Sequence, residues 1–248
     1  MTESEASQPL RIAMWSGPRN ISTAMMYSFA NRADTFVSDE PLYAHYLDRT
    51  GVDHPGFTEV IAAGQTDWRE VVRSLSGEIP GGATVWYQKH MCHHILEGMD
   101  LEWSASMRHC FLLRDPREVL LSLSKKTDAI DAWATGLPQQ ARLVEVVRQM
   151  TGQEPLIVDS GDLLHDPQRL LGVLCERFGI RFDPAMLSWT AGPKDCDGVW
   201  AEYWYDSVWR STGFAAPRPR HGELSPKLEA VLSEVQPIYE ALSERRLS

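Results

Sequence analysis

Residues 11–30 read RIAMWSGPRNISTAMMYSFA, and they join an apolar run directly to a turn and a helical pattern. Residues 10–15 predict a buried strand, the Ser-Gly-Pro turn ends it, and the apolar spacing from Ser22 onwards predicts a helix. The first N–H groups of a helix have no intrahelical partner, and the helix dipole is positive at that end. Arg19, Ser22 and Thr23 add a charge and two hydroxyls there. The stretch therefore predicts a site for a phosphate or a sulfate.

The composition predicts a soluble globular protein. The chain has 248 residues, of which 43% are hydrophobic and 23% are charged, and we expect residues 1–248 to form a single domain. No apolar run approaches the roughly 18 residues that cross a bilayer, and residues 1–9 are polar and acidic. We expect residues 1–9 to be a disordered tail, and we expect a cytoplasmic protein that does not bind membranes.

The charge and the cysteines exclude several classes of function. A net charge of −10 argues against a nucleic-acid partner, because that affinity comes largely from cations that neutralise phosphates. The four cysteines have neither disulfide-framework nor zinc-knuckle spacing. His90, His93, His94 and Cys92 lie close together, but no HExxH pattern or second ligand group accompanies them, so we expect no metal.

Apolar runs alternate with helical patterns along most of the chain. The predicted strands are 10–15, 35–38, 83–89, 108–113 and 155–159, and the predicted helices after the first are 39–46, 67–75, 117–126, 138–151, 166–178 and 226–242. Residues 48–64 have no clear period. This alternation predicts an α/β fold with three α/β/α layers around a central parallel sheet. The tryptophan-rich residues 183–225 are expected to cover the active-site face.

Ligands of such sheets bind beyond the carboxyl ends of the strands. Four polar residues follow four different predicted strands: Arg19, Glu40, His90 and Arg114. We therefore expect these side chains to meet at one edge of the sheet.

The turn after the first strand is not a Walker A motif, because no Gly-Lys is present. Pro18-Arg-Asn-Ile-Ser-Thr23 instead resembles the 5′-phosphosulfate loop of sulfotransferases that use 3′-phosphoadenosine-5′-phosphosulfate (PAPS). Phe111-Leu-Leu-Arg-Asp-Pro-Arg-Glu-Val-Leu-Leu-Ser122 resembles the family's 3′-phosphate motif, with a serine eight residues after the arginine. A third likeness spans 158–180, so the resemblance covers most of residues 10–190.

The resemblance implies a P-loop NTPase-like sulfotransferase fold, PAPS as the donor and 3′,5′-adenosine bisphosphate as the product. It implies that Arg114 and Ser122 hold the 3′-phosphate. Arg210 is either a further contact to that phosphate or an arginine on the surface. It implies a cofactor loop made of Gly17, Pro18, Arg19, Asn20, Ser22 and Thr23, in which Arg19 also stabilises the leaving group. The acceptor would be a hydroxyl or an amine on a small molecule or a peptide.

Two residues compete for the role of general base. Glu40 lies 21 residues after Arg19, which matches the position of the catalytic glutamate in the tyrosylprotein and bacterial branch of the family. His90 resembles the histidine base of cytosolic sulfotransferases, and its ordinary pKa suits neutral pH. We favour Glu40 because it accompanies Arg19, and we keep His90 as the alternative base or as a substrate contact.

The motifs depart from the family at three places. Ile21 stands where glycine is usual, and a β-branched residue resists positive φ, which predicts a looser loop. No tryptophan follows Thr23, and residues 209–214 match the C-terminal family pattern only loosely. Two alternatives therefore stay open: a nucleotide-dependent kinase of related fold and a protein that binds the bisphosphate nucleotide without catalysis.

Overall fold

The computed structural model describes residues 9–216 and 222–247. The described residues contain five strands: β1 (Leu10–Ser16), β2 (Thr35–Asp39), β3 (Val85–Met91), β4 (Arg108–Leu113) and β5 (Leu156–Asp159). They pair in the order β2-β3-β1-β4-β5, and every pairing is parallel. The first strand of the chain is therefore the middle strand of the sheet.

Helices separate and follow these strands. They are α1 (Ser22–Ala30), α2 (Tyr43–Thr50), α3 (Phe57–Ala63), α4 (Trp68–Ser76), α5 (Pro116–Leu123), α6 (Leu137–Thr151), α7 (Ser160–His165), α8 (Pro167–Phe178), α9 (Ala201–Trp204), α10 (Asp206–Trp209) and α11 (Pro226–Ser243). Short 3-10 turns cover Pro80–Gly82, Cys92–His94, Glu102–Ser104, Trp133–Thr135 and Pro184–Leu187.

The sheet is covered on both faces, because successive residues of a strand point to opposite sides. In β1, Ala13 and Trp15 join a core cluster with residues of α4, α6 and α11. Ile12 and Met14 join a second cluster with residues of α1 and α8. The predicted three-layer α/β/α fold with a parallel sheet is confirmed.

Aspartate side chains cap the N-termini of several helices. Asp115 accepts hydrogen bonds from the first N–H groups of α5, and Asp159 and Asp166 do the same for α7 and α8. Such a cap contributes about 1 kcal/mol by satisfying donors that the helix itself leaves without partners. At these three positions a local sequence signal and the fold agree.

The structure corrects two predicted elements near the sheet edge. The helix expected to start at Asp39 begins only at Tyr43, because Asp39 ends β2 and Glu40 takes a positive φ of 39°. Strand β3 extends to Met91, so His90 lies inside the strand rather than after it. Helices α3 and α7 were not predicted at all.

Two expectations fall partly outside the described residues. Of the expected tail 1–9, only Pro9 is described. Of the expected covering segment 183–225, residues 217–221 are not described, and the described part contains α9 and α10.

Candidate functional site

The loop after β1 is shaped by close packing and by one strained residue. A Cβ on Gly17 would lie 2.8 Å from the backbone oxygen of Thr135, so only glycine allows this approach. Arg19 has a φ of 55°, in the left-handed region that non-glycine residues rarely adopt. Ile21 has an ordinary φ of −89°. The expectation that Ile21 loosens the loop by resisting positive φ is therefore wrong, because the positive φ falls on Arg19.

Hydrogen bonds join this loop to β4 and α5. Arg19 Nε donates to Ser122 Oγ at 3.0 Å, and Arg114 Nη1 donates to the backbone oxygen of Arg19 at 2.7 Å. Asn20 Nδ2 donates to the backbone oxygen of Leu112 at 2.7 Å. Arg114 also pairs with Glu118 at 2.7 Å, which fixes its guanidinium at the start of α5. The two predicted phosphate motifs, 103 residues apart at their Arg19–Ser122 contact, thus form one site.

A buried charged network lies at the ends of β2 and β3. Lys89 Nζ donates to Asp39 Oδ1 at 2.8 Å, to Glu40 Oε1 at 2.5 Å and to the Tyr205 hydroxyl at 2.6 Å. The Tyr205 hydroxyl donates in turn to the Asp39 carboxylate at 2.7 Å. The side chains of Lys89, Asp39 and Glu40 are 1%, 2% and 12% exposed. The network therefore sits at low dielectric, where each of these charges depends on its partner.

The pKa values in the network follow from burial and from the opposite charges. Burial raises the pKa of Glu40, and the Lys89 ammonium opposes part of that increase. Burial alone would lower the pKa of Lys89, but the carboxylates of Asp39 and Glu40 raise it above its ordinary value. Burial, followed by the two carboxylates, raises the pKa of Tyr205 well above its ordinary value. At neutral pH the ammonium and the phenol are therefore protonated.

Glu40 shares an unusual backbone conformation with Arg19. These two are the non-glycine residues with positive φ among residues 9–216 and 222–247, and both line the same cleft. The N–H of Glu40 donates to the backbone oxygen of Lys89 at 3.0 Å, which fixes the strained turn next to β3. Such strain costs about 1–3 kcal/mol per residue and is typically found at functional sites.

The cleft has a volume of about 1390 Å³. Among the predicted site residues it is lined by Pro18, Arg19, Asn20, Ser22, Thr23, Glu40, Arg114, Ser122 and Arg210. Single-ligand sites commonly measure about 300–1,000 Å³, so this cleft has room for a nucleotide and a second molecule together. Arg210 lies on its surface, where it pairs with Asp206.

His90 does not reach the cleft. Its ring stacks on Trp15 with centroids 4.6 Å apart, inside the core on the α4–α6 side of the sheet. Burial lowers its pKa to about 3, helped by the neighbouring His109. Because residues alternate along β3, Lys89 points towards Asp39 and His90 points into the core. The structure thus brings together Arg19, Glu40 and Arg114 of the four expected residues.

The prediction from sequence missed Lys89 and Tyr205. A lysine inside the strand Val-Trp-Tyr-Gln-Lys-His-Met is a detectable signal, because a buried ammonium requires carboxylate partners. Tyr205 lies in a segment without regular periodicity, so its long-range contact with Asp39 has no local signal. Gly17 is placed beneath the loop, where it allows close packing rather than lining the cleft.

The described residues contain neither a metal-binding cluster nor a membrane-spanning helix. Across residues 9–216 and 222–247, no three or more His, Cys, Asp or Glu side chains form a group that could hold a metal ion. In the same parts of the chain no helix is long and apolar enough to cross a membrane.

A family model described as a sulfotransferase domain matches residues 10–246. This chain belongs to the sulfotransferase family. Two sulfotransferase relatives of known structure share its fold: a sulfotransferase from Alicyclobacillus acidocaldarius (TM-score 0.55, 11% identity, covering 97% of this chain and 98% of that one) and the sulfotransferase domain of the Synechococcus PCC 7002 olefin synthase (TM-score 0.52, 17% identity, 94% and 97%). At these identities the likeness shows the fold.

Sequence relatives of this sulfotransferase-family chain include two longer plant proteins. Branched-chain-amino-acid aminotransferase-like protein 1 of Arabidopsis thaliana is 39% identical over 223 residues, which are 88% of this chain and 39% of that protein. Branched-chain-amino-acid aminotransferase-like protein 2 of the same plant is 36% identical over 232 residues, which are 93% of this chain and 41% of that protein. The chain thus spans about two-fifths of the length of these relatives.

Proposed function

We propose that this chain transfers a sulfuryl group from PAPS to a hydroxyl or an amine of a small molecule or a peptide. The observation that carries the proposal is the contact between Arg19 Nε and Ser122 Oγ, at 3.0 Å. It joins the loop after β1 to the motif after β4, and Glu40 lines the same cleft. Two anion-binding elements next to a buried carboxylate suit a donor with phosphates at both ends and an acceptor that must lose a proton.

The residues present fit such a donor. No side chain caps the first turn of α1, and the Ser22 and Thr23 hydroxyls line the cleft there. In this proposal the α1 N-terminus, Ser22 and Thr23 bind the 5′-phosphate, since helix amides and hydroxyls donate to phosphate oxygens. Arg114 and Ser122 bind the 3′-phosphate, because a guanidinium forks onto phosphate oxygens. When bound, PAPS supplies the sulfuryl group that is transferred.

Arg19 and Glu40 have different roles in the proposed transfer. The Arg19 guanidinium stabilises negative charge as it develops towards the nucleotide phosphate. The Glu40 carboxylate accepts the proton of the acceptor, and Lys89 helps to keep that carboxylate ionised by opposing the effect of burial on its pKa. Both residues combine a positive φ with a place in the cleft lining, and backbone strain of this kind is typical of groups that are held in position at functional sites.

Thermal unfolding with ligands tests the donor. We expect 3′,5′-adenosine bisphosphate at 100 times its Kd to stabilise the protein by about 2.7 kcal/mol, a rise in Tm of roughly 5–10 °C. The Arg114→Ala variant should lose this shift. The matched control Arg117→Ala should keep it, since Arg117 pairs with Glu229 outside the cleft. Stabilisation by Mg-ATP alone would favour the kinase and overturn the proposal.

Transfer of labelled sulfate from PAPS to a panel of alcohols, phenols, sugars, amines and peptides tests catalysis. We expect Arg19→Ala and Glu40→Gln each to lower transfer by at least about 100-fold, the usual range for loss of a charge-stabilising group or a general base. Binding of the bisphosphate without transfer to any acceptor would instead support a non-catalytic binding protein.

A further inference from the structure

Aromatic side chains line the end of the cleft beside Glu40. We define the ring cluster as Tyr43, Tyr46, His54, His94, Trp200 and Trp204, all of which line the cleft. Tyr43 contacts the ring of Trp200 edge-on, with centroids 5.1 Å apart, and stacks on His94 at 4.9 Å. The cluster joins α2 to the segment around α9, and His94 Nε2 lies 4.0 Å from Glu40 Oε2.

The imidazoles of this cluster carry no charge at neutral pH. Burial lowers the pKa of His54 below its ordinary value. Burial, followed by the neighbouring His93, lowers the pKa of His94 well below its ordinary value. Tyr43 keeps its proton, because burial raises its pKa above the ordinary value. The rings therefore offer π faces and neutral dipoles, and none of them contributes a positive charge.

The charges near the ring cluster are negative in sum. Two carboxyl groups, Asp39 and Glu40, contact the single ammonium of Lys89. In the proposed function Glu40 is ionised as the base, which leaves one negative charge in excess here. Asp53, which precedes His54 in the chain, adds another carboxylate to the cleft wall. An anionic group placed here would meet repulsion at low dielectric, whereas a cation would be attracted.

The loop end of the cleft has the opposite character, because Arg19 lines it and Arg114 is fixed against the loop backbone. The cleft thus has a cationic end suited to phosphates and an aromatic, negatively charged end next to Glu40. A cation held against aromatic faces gains about 0.5–2 kcal/mol, most when it is desolvated.

We propose that the acceptor is an alcohol that bears a permanent positive charge, with its ammonium group seated against the ring cluster and its hydroxyl at Glu40. This inference rests on the proposed function. A quaternary ammonium has no lone pair, so its hydroxyl oxygen is the nucleophile. That oxygen forms a bond to sulfur, the bond from sulfur to the bridging oxygen of the donor breaks, and the hydroxyl proton goes to the Glu40 carboxylate. The positive charge anchors the molecule and takes no part in the transfer.

Two probes of the same shape test this inference: choline, and 3,3-dimethylbutan-1-ol, in which carbon replaces the charged nitrogen. We expect calorimetric titration to show choline binding at least about tenfold more tightly, which corresponds to about 1.4 kcal/mol. Trp204→Leu should reduce the preference several-fold. Phe36→Leu, which removes a half-exposed ring on β2 outside the cleft, should leave it unchanged. Equal binding of the two probes, or tighter binding of the neutral one, would overturn the inference.

Titration of both the free protein and the protein loaded with 3′,5′-adenosine bisphosphate separates this inference from the proposed function. If the protein prefers choline but does not bind the bisphosphate, the ring cluster is supported as a cation site and the proposed donor is refuted. Bisphosphate binding and sulfate transfer to uncharged acceptors, without a choline preference, would refute the cation site and leave the sulfotransferase activity standing.

Discussion

Replacing Lys89 by methionine should expose how the buried network at the ends of β2 and β3 is balanced. The substitution keeps the length of the side chain and removes the ammonium that contacts Asp39 at 2.8 Å and Glu40 at 2.5 Å. The Asp39 and Glu40 side chains are 2% and 12% exposed, so two neighbouring carboxylates would lose their common partner away from water. Breaking a buried ion pair in this way costs about 3–5 kcal/mol, which lowers Tm by roughly 10 °C in a domain of this size.

The stability lost in Lys89→Met should depend on pH in a defined direction. Lys89 lowers the pKa of Glu40, so removing it raises that pKa further above the unfolded value of 4.5. A group whose folded pKa is raised contributes stability below its unfolded pKa and loses it as the pH rises through the folded pKa. The difference in unfolding free energy between wild type and Lys89→Met should therefore be large at about pH 8 and smaller at about pH 5.

Urea unfolding followed by tryptophan fluorescence measures this difference at both pH values. Lys227→Met is the matched control, since Lys227 is exposed and donates to the backbone oxygen of Asp128, and its change should stay within about 0.5 kcal/mol. A difference below about 1 kcal/mol for Lys89→Met at the higher pH, or an equal difference at both pH values, would refute the reasoning.

Three further substitutions test the loop and the choice of base. Arg19→Gly should be more stable than Arg19→Ala by about 1 kcal/mol in urea, because glycine adopts the φ of 55° without steric cost, and equal stability would contradict a strained loop. Gly17→Ala should lower stability by about 1–3 kcal/mol and weaken binding of the bisphosphate, because its Cβ would lie 2.8 Å from the Thr135 oxygen. If calorimetry shows an unchanged unfolding free energy and an unchanged bisphosphate affinity, the loop is free to move away from Thr135. His90→Gln should keep sulfate transfer near the wild-type rate, whereas loss of transfer in a folded variant would restore His90 as the base. His90 has a folded pKa of about 3, below its ordinary 6.5, so its contribution to stability is present at about pH 7 and is lost on acidification. The difference in unfolding free energy between wild type and His90→Gln should therefore be about 2 kcal/mol smaller at about pH 5 than at about pH 7.

Local signals were sufficient for the elements that build the sheet. Strand β1 is a short apolar run ended by Ser-Gly-Pro, and the Asp-Pro pairs at 115–116 and 166–167 cap α5 and α8 as their sequence indicates. The loop residues Arg19, Ser22 and Thr23 and the α5 motif follow directly from those elements. Their contact could be anticipated because parallel strands end at the same edge.

Long-range partners decided what the sequence could not predict. Asp39 and Glu40 precede a proline as helix caps often do, but Lys89, 50 residues beyond Asp39, takes both carboxylates into a buried network. A shift of two residues in the end of β3 moved His90 from the sheet edge into the core, because neighbouring strand positions face opposite layers. The ring cluster depends on residues around α9, a segment whose lack of periodicity hides its contacts.

The order of the strands has a consequence for how this protein is assembled. Strand β1 comes first in the chain but lies between β3 and β4, so it finds its neighbours only after residues 85–91 and 108–113 have been synthesised. The loop that follows β1 depends on the later strand, since Asn20 bonds to Leu112 and Arg114 bonds to the Arg19 backbone. Affinity for a phosphate should thus appear late in folding, with the completed sheet. In the proposed function, the nucleotide therefore binds fully folded chains alone and can serve as a probe for them.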